Sequence, residues 1–224
     1  MAISDSLQVT KTRLAAACVA AGRPAGAVRL LVVSKTFPGS AVREAFAAGA
    51  RAFGENYVQE GLAKIAELAD LRAQIEWHLI GPLQSNKTRP VAEAFDWVHS
   101  VDRLKVAQRL SEQRPASLAP LNVCLQVNIS AEASKSGLLP AEVTALAHQV
   151  AALPRLQLRG LMAVPGPGPG ALAQHQVMAA LFEALKADGL SLDTLSLGMS
   201  ADLEDAIQAG STMVRVGSAI FGAR

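Results

Sequence analysis

Lys35 is the residue in this sequence with the clearest chemical potential. It follows the apolar run Leu30-Leu31-Val32-Val33, so its stem starts where a buried strand ends. Desolvation at such a place lowers an amine's pKa and frees the neutral nucleophile that imine formation with an aldehyde requires. A lysine that snorkels from the strand end into solvent fits the same spacing. Near the other end of the chain, Gly198-Met199-Ser200 precedes a helical pattern with Asp202 in its first turn, and Val214-Arg215-Val216-Gly217-Ser218 closes the last apolar run. Loops of this kind receive an anion on backbone N–H groups and hydroxyls. Ser200 is equally compatible with a helix N-cap, and Gly217-Ser218 with a tight turn. Arg215 stands between valines, where an interior guanidinium needs a partner to offset its desolvation, which favours a ligand contact.

The elements that must position these groups alternate regularly. After an opening helix from about Ser4 to Ala21, stopped by Gly22 and Pro24, eight strand-length apolar runs follow: Val28–Val33, Ala52–Gly54, Ile75–Ile80, Trp97–Val101, Leu121–Ile129, Leu156–Val164, Thr194–Leu197 and Met213–Val216. Helical periodicity fills 39–49, 57–70, 85–94, 103–112, 140–152, 171–188 and 201–209 between them. Runs that are apolar throughout suit parallel strands covered on both faces. Eight of them with intervening helices are the count of a single (β/α)8 TIM-type barrel of the α/β class with an extra N-terminal helix; an open doubly wound sheet is the alternative. At 224 residues the chain fits one such domain over 1–224 and leaves little room for a second. The stretch Val164 to Gly170, VPGPGPG, must be a loop, either a functional one or a passive connector.

In a barrel of this kind the chemistry sits at the C-terminal ends of the strands. Those ends carry Lys35, then Glu55-Asn56-Tyr57, then His78 running into Gly81-Pro82, followed by His99-Ser100 with Asp102, Asn128, Met162, Gly198-Met199-Ser200, and Arg215 with Gly217-Ser218. His78 and Asn56 are candidates for lining a pocket, although a lone strand histidine is equally a hydrogen-bonded core residue. His99 and His148 are weaker candidates, and His175 falls in a helix expected to be exposed.

Other function classes find little support. No pair of histidines has metal-ligand spacing, and neither a dinucleotide glycine fingerprint nor a P-loop is present. Half of the residues are hydrophobic, 18% are charged and the net charge is +2, with no basic run to follow a nucleic acid. Cys18 and Cys124 are the only cysteines, placed in apolar segments that suggest buried reduced thiols. With no apolar run long enough for a signal or a membrane span, a cytoplasmic protein is expected. No exposed apolar stripe demands a dimer, so a monomer is expected.

The motifs VVSKTFP, FGENYVQE, WHLIGPLQSNK, HSVDR, LQVNIS, KSG, GLMAVP, LGMSADLEDAI and VRVGSAIFGAR occur in this order from about residue 28 to 224. Together they resemble the pyridoxal phosphate homeostasis proteins. The resemblance implies a fold similar to the N-terminal barrel of alanine racemase, with Lys35 as Schiff-base lysine for pyridoxal 5'-phosphate (PLP). It also implies Ser200, Gly217 and Ser218 around the phosphate, Arg215 near the pyridine nitrogen, and Asn56 and His78 in the pocket; Met162 is grouped with these candidates. The loop after GLMAVP is richer in Gly and Pro than the resemblance leads one to expect, and the chain stops at FGAR where many relatives continue.

Two functions compete under that resemblance, a PLP-dependent amino-acid racemase and a protein that stores, buffers or delivers PLP to apoenzymes. A racemase needs a second acid/base, and the only tyrosine, Tyr57, lies beside Asn56 and cannot be assumed to take that part. A carrier needs only the lysine and the phosphate cradle, and the sequence fits it better. A barrel enzyme acting on a phosphorylated metabolite would leave Lys35 unexplained.

Overall fold

A computed structural model describes residues 2–130, 132, 136–166 and 170–222. Residues 167–169 of the VPGPGPG segment and Lys135 of the KSG motif lie outside the described residues. Val164 to Gly166 have no regular structure.

Eight strands close into one parallel barrel in sequence order. They are β1 Arg29–Val33, β2 Ala52–Glu55, β3 Glu76–Leu79, β4 Trp97–Val101, β5 Leu121–Val127, β6 Leu156–Ala163, β7 Thr194–Ser196 and β8 Met213–Val216. Closure is made by β1 pairing with β8, where Leu31 stands opposite Arg215. Around the barrel run α1 Ile3–Ala20, α2 Gly39–Ala47, α3 Val58–Glu67, α4 Thr88–Ala94, α5 Leu104–Gln113, α6 Pro140–Ala151, α7 Ala171–Ala187, α8 Leu203–Gln208 and α9 Ser218–Phe221. The barrel and its additional N-terminal helix agree with the sequence reading, and the open sheet is excluded. The four-residue helix α9 was not anticipated, because Gly217-Ser218 reads as a turn and one helical turn is too short to show periodicity.

Alternation along each strand divides the side chains between two environments. Val32, Phe53, Trp77, Leu79, Val98, Leu161 and Val214 belong to the large core between barrel and helices. The lumen holds smaller groups, Leu31 with Ala52 and Met213, and Trp97 with Cys124 and Met162. Its other inward positions are polar: His78, His99, Ser196 and Arg215 are all buried. Runs that look uniformly apolar in sequence therefore conceal a polar row on the inner face. Among the described residues no helix is long and apolar enough to cross a membrane.

Candidate cofactor site

A cavity of about 450 Å³ opens at the C-terminal ends of the strands. Lys35, Asn56, Ser200, Arg215, Gly217 and Ser218 line it, together with apolar groups that include Val33, Ile80 and Val164. Residues as far apart as Lys35 and Ser218 are brought together because barrel closure sets β1 against β8.

Lys35 lies in a turn directly after β1. Both of its neighbours are held by one buried network. Lys64, from α3, donates to the Ser34 carbonyl at 2.6 Å, to Glu55 Oε1 at 2.8 Å and to Glu60 Oε1 at 2.7 Å. Ser34 Oγ donates to the same Glu55 oxygen at 2.6 Å, and Glu60 accepts the Thr36 N–H. Thr36 has φ +67°, a left-handed conformation that a β-branched residue seldom adopts and that this contact helps hold. Burial raises the Glu55 pKa, against the hydrogen bonds from Lys64 and Ser34 that favour its charge.

The opposite wall is a pair of loops. Ser200 and Ser218 present hydroxyls 3.4 Å apart. Asp202 accepts the Met199 N–H at 2.7 Å, and its other oxygen bonds His175 Nε2 at 2.9 Å. Burial opposes the charge on Asp202, but these two bonds prevail and lower its pKa. His175 is fully buried, which corrects the expectation of an exposed helix position. The seven-residue spacing from His175 to Phe182 turns both toward the core, and a bond to a loop residue 27 positions away is invisible to periodicity.

The additional helix α1 also reaches this wall. Arg13 donates to the Ser200 carbonyl at 2.8 Å and pairs with Glu204 at 2.6 Å. Ser200 is not the helix cap, because α8 begins at Leu203 with Asp202 at its N-cap position. Gly217 permits the close approach of β8 to β1. A Cβ at that position would meet the Val33 carbonyl oxygen at 2.8 Å and the Val33 Cβ at 3.2 Å.

Arg215 is 4% exposed and donates to the Ser196 carbonyl, Ser196 Oγ and the Ala163 carbonyl at 2.7, 2.8 and 2.9 Å. Burial lowers its pKa to about 10, which leaves it a cation at neutral pH. Two candidates read from the sequence stand apart from this wall. His78 and Met162 are not among the residues lining the cavity. Both point inward from positions deeper in the lumen, where His78 stacks on Trp97 with ring centroids 5.1 Å apart and Met162 packs on Trp97 and Cys124.

Residues 12–224 match the family described as alanine racemase, N-terminal domain. A protein of Pseudomonas aeruginosa named pyridoxal phosphate homeostasis protein is 62% identical over 222 residues, 99% of this chain and 96% of the relative. The chain belongs to the pyridoxal phosphate homeostasis protein family. The structure of PipY from Synechococcus elongatus with PLP bound is 38% identical, has a TM-score of 0.85 and is matched over 98% of this chain and all of PipY. Alanine racemase from Corynebacterium glutamicum shares the fold, with a TM-score of 0.74 at 19% identity; the match covers 99% of this chain and 61% of the racemase.

For this member of the pyridoxal phosphate homeostasis family, the motifs account for the cavity wall but not for what holds it. Glu55, Glu60 and Lys64 sit within or beside FGENYVQE, and a lysine in the middle of α3 gives no sign of burial. Arg13 precedes every motif. A charge near the start of a chain reads as a solvated helix face.

Proposed function

We propose that this chain binds PLP through a Schiff base on Lys35 and acts in PLP homeostasis by storing, buffering or delivering the cofactor. The observation that carries this reading is the convergence of Lys35, Arg215 and the Ser200/Gly217/Ser218 wall on one cavity. A strand-end amine, two hydroxyls beside a glycine-bounded turn and a buried guanidinium are a donor set that fits an aldehyde, a phosphate and a pyridine nitrogen. PipY, 38% identical with its PLP bound, supports it.

When bound, PLP supplies an aldehyde and a ring able to withdraw electrons. Lys35 is read as the covalent anchor. Ser200, Gly217 and Ser218 would hold the phosphate, Asn56 would border the ring, and Ile80 with Val164 would limit water. Arg215 stays a cation at neutral pH, so beside a ring nitrogen it would keep that nitrogen unprotonated and would weaken the ring as an electron sink.

That last property favours holding over catalysis. Tyr57 is 58% exposed and lines a neighbouring cleft with Gln59 and Arg103, not the Lys35 cavity. No tyrosine is therefore poised opposite Lys35 to return a proton as a racemase requires. The names of relatives that this chain matches over 96% or more of their length support the same reading. We take residues 1–224 to work as one PLP-binding barrel domain, a cytoplasmic monomer whose partners are PLP and recipient apoenzymes.

The test is borohydride reduction of the PLP-loaded protein followed by peptide mapping. The label is expected on Lys35 and is expected to vanish in Lys35→Ala; undiminished labelling of that variant would refute the anchor. Solvent-deuterium exchange at Cα across an amino-acid panel should be negligible, and substantial turnover would favour the racemase.

A further inference from the structure

A continuous chain of hydrogen bonds runs through the barrel lumen from the N-terminal face to the cavity. Arg29 Nη2 donates to Glu76 Oε1 at 2.8 Å. The same oxygen lies 2.8 Å from His78 Nε2. His78 Nδ1 lies 2.9 Å from His99 Nε2, and His99 Nδ1 lies 3.1 Å from Ser196 Oγ. Ser196 Oγ accepts from Arg215 Nη1.

The proton positions along this chain follow from its Glu76 end. Glu76 accepts from Arg29 at 2.8 Å, and this ion pair keeps it a carboxylate. It can only accept, so His78 carries its proton on Nε2. Burial lowers the pKa of His78 and, further, that of His99, which makes both rings neutral at pH 7. His78 Nδ1 is then an acceptor and His99 Nε2 the donor to it. His99 Nδ1 accepts in turn, which orients the Ser196 hydroxyl proton toward it and leaves the Ser196 lone pairs for Arg215. The direction is therefore set from the Glu76 end, and Arg215, which only donates, fits it because Ser196 Oγ keeps lone pairs to accept from it.

We infer that Glu76, His78, His99 and Ser196 form a positioning relay that fixes, from the opposite face of the barrel, which Arg215 N–H groups face the cofactor cavity. Three of the five Arg215 N–H groups go to Ser196 O, Ser196 Oγ and Ala163 O, and two remain for a ligand. Among these acceptors only Ser196 Oγ depends on a proton arrangement, because a carbonyl oxygen always accepts. Reversing one ring would turn two donors, or two acceptors, toward each other. In the lumen no water-exposed alternative is at hand, since His78, His99 and Ser196 are all fully buried. The relay thus links a carboxylate on one face of the barrel to the guanidinium on the other. Its effect on the cofactor rests on the reading of the cavity as the PLP site, whereas its proton arrangement does not.

The first arm of the test therefore uses the protein without PLP. Long-range 1H–15N spectra at pH 7 should show His78 and His99 neutral with the proton on Nε2. A charged ring, or an Nδ1 proton on either, overturns the relay. In Ser196→Ala the His99 Nδ1 signal should shift, because that nitrogen loses its donor, and the Kd for PLP should rise about tenfold, the loss of one hydrogen bond to a charged group. Ser196→Thr, which keeps the hydroxyl, should restore both; unchanged Kd in Ser196→Ala overturns the coupling to the cavity. Glu76→Gln, on the far face, should move the ring nitrogen signals of both histidines, and a change confined to His78 overturns the relay as a connected unit. Borohydride labelling keeps the two readings apart: wild-type protein that has the expected tautomers but no label on Lys35 refutes the PLP site and not the proton arrangement.

Discussion

Lys64 and Glu55 form a buried ion pair, 2.8 Å apart and 6% and 0% exposed, and the same ammonium binds the carbonyl of the residue preceding Lys35. The packing of α3 against the barrel and the backbone position just before Lys35 are thus joined in a single group. Among the described residues Glu55 Oε2 has no hydrogen-bond partner, so the arrangement already carries some unmet polarity.

Lys64→Met should destabilise the protein by about 3–5 kcal/mol, because it leaves a buried carboxylate without its cation. It should also slow covalent attachment of PLP to Lys35. Urea unfolding and borohydride trapping at fixed times measure the two effects. Adding Glu55→Gln to Lys64→Met should recover part of the stability and little of the attachment rate, since the carbonyl of Ser34 remains unheld.

Gly217→Ala should weaken PLP retention at least tenfold while Lys35 stays reactive. The added methyl would sit 2.8 Å from a main-chain oxygen of β1, and the backbone of the phosphate wall must move to relieve it. Equilibrium dialysis of PLP alongside labelling of Lys35 by a small aldehyde separates loss of the wall from loss of the anchor. Equal loss of both would place Gly217 in the anchor's own support.

Acid should destabilise the protein in two steps of the same sign. His78 and His99 have folded-state pKa values below 6.5, so the unfolded chain binds more protons as the pH falls below about 6.5 and stability declines. Glu76, lowered from 4.5 to about 2, adds a second decline between those values. Urea midpoints measured from pH 7.5 to 4 should fall steadily below 6.5. A midpoint that stays flat down to pH 5 would contradict neutral buried imidazoles.

Both cysteines should be inert in the folded protein. Cys124 is fully buried in the lumen, and burial pushes its thiol up to about 12; Cys18 is fully buried between α1 and the barrel. A thiol reagent at pH 8 should register neither until urea unfolds the chain, and then both.

The loops at the strand ends were legible because their chemistry and their local pattern coincide. An apolar run that stops at a lysine, and Gly-x-Ser or Arg-x-Gly-Ser at the end of a run, can be read without knowing what lies opposite. The same reasoning does not give the depth of His78 and Met162, which pack against Trp97 in the lumen. The order of residues on a strand tells that alternate side chains face opposite ways, but not how deep in a lumen an inward side chain lies once the strands tilt and stagger. It failed for His175 because a helix of small apolar residues, ALAQHQVMAALFEALKA, gives weak contrast between its faces.

Sequence alone thus determined that eight parallel strands alternate with helices, and that Lys35 and the two glycine-serine turns stand at their ends. These properties rest on period, length and turn residues, all local. Only the tertiary structure decided that Lys64 grips the residue before Lys35, that Arg13 from the first helix holds the Ser200 carbonyl, and that His99 meets a serine 97 positions later. Each of those is a polar contact between distant segments. Its geometry arises when barrel closure and burial force donors and acceptors to find one another, because a buried group without a partner loses the water it gave up.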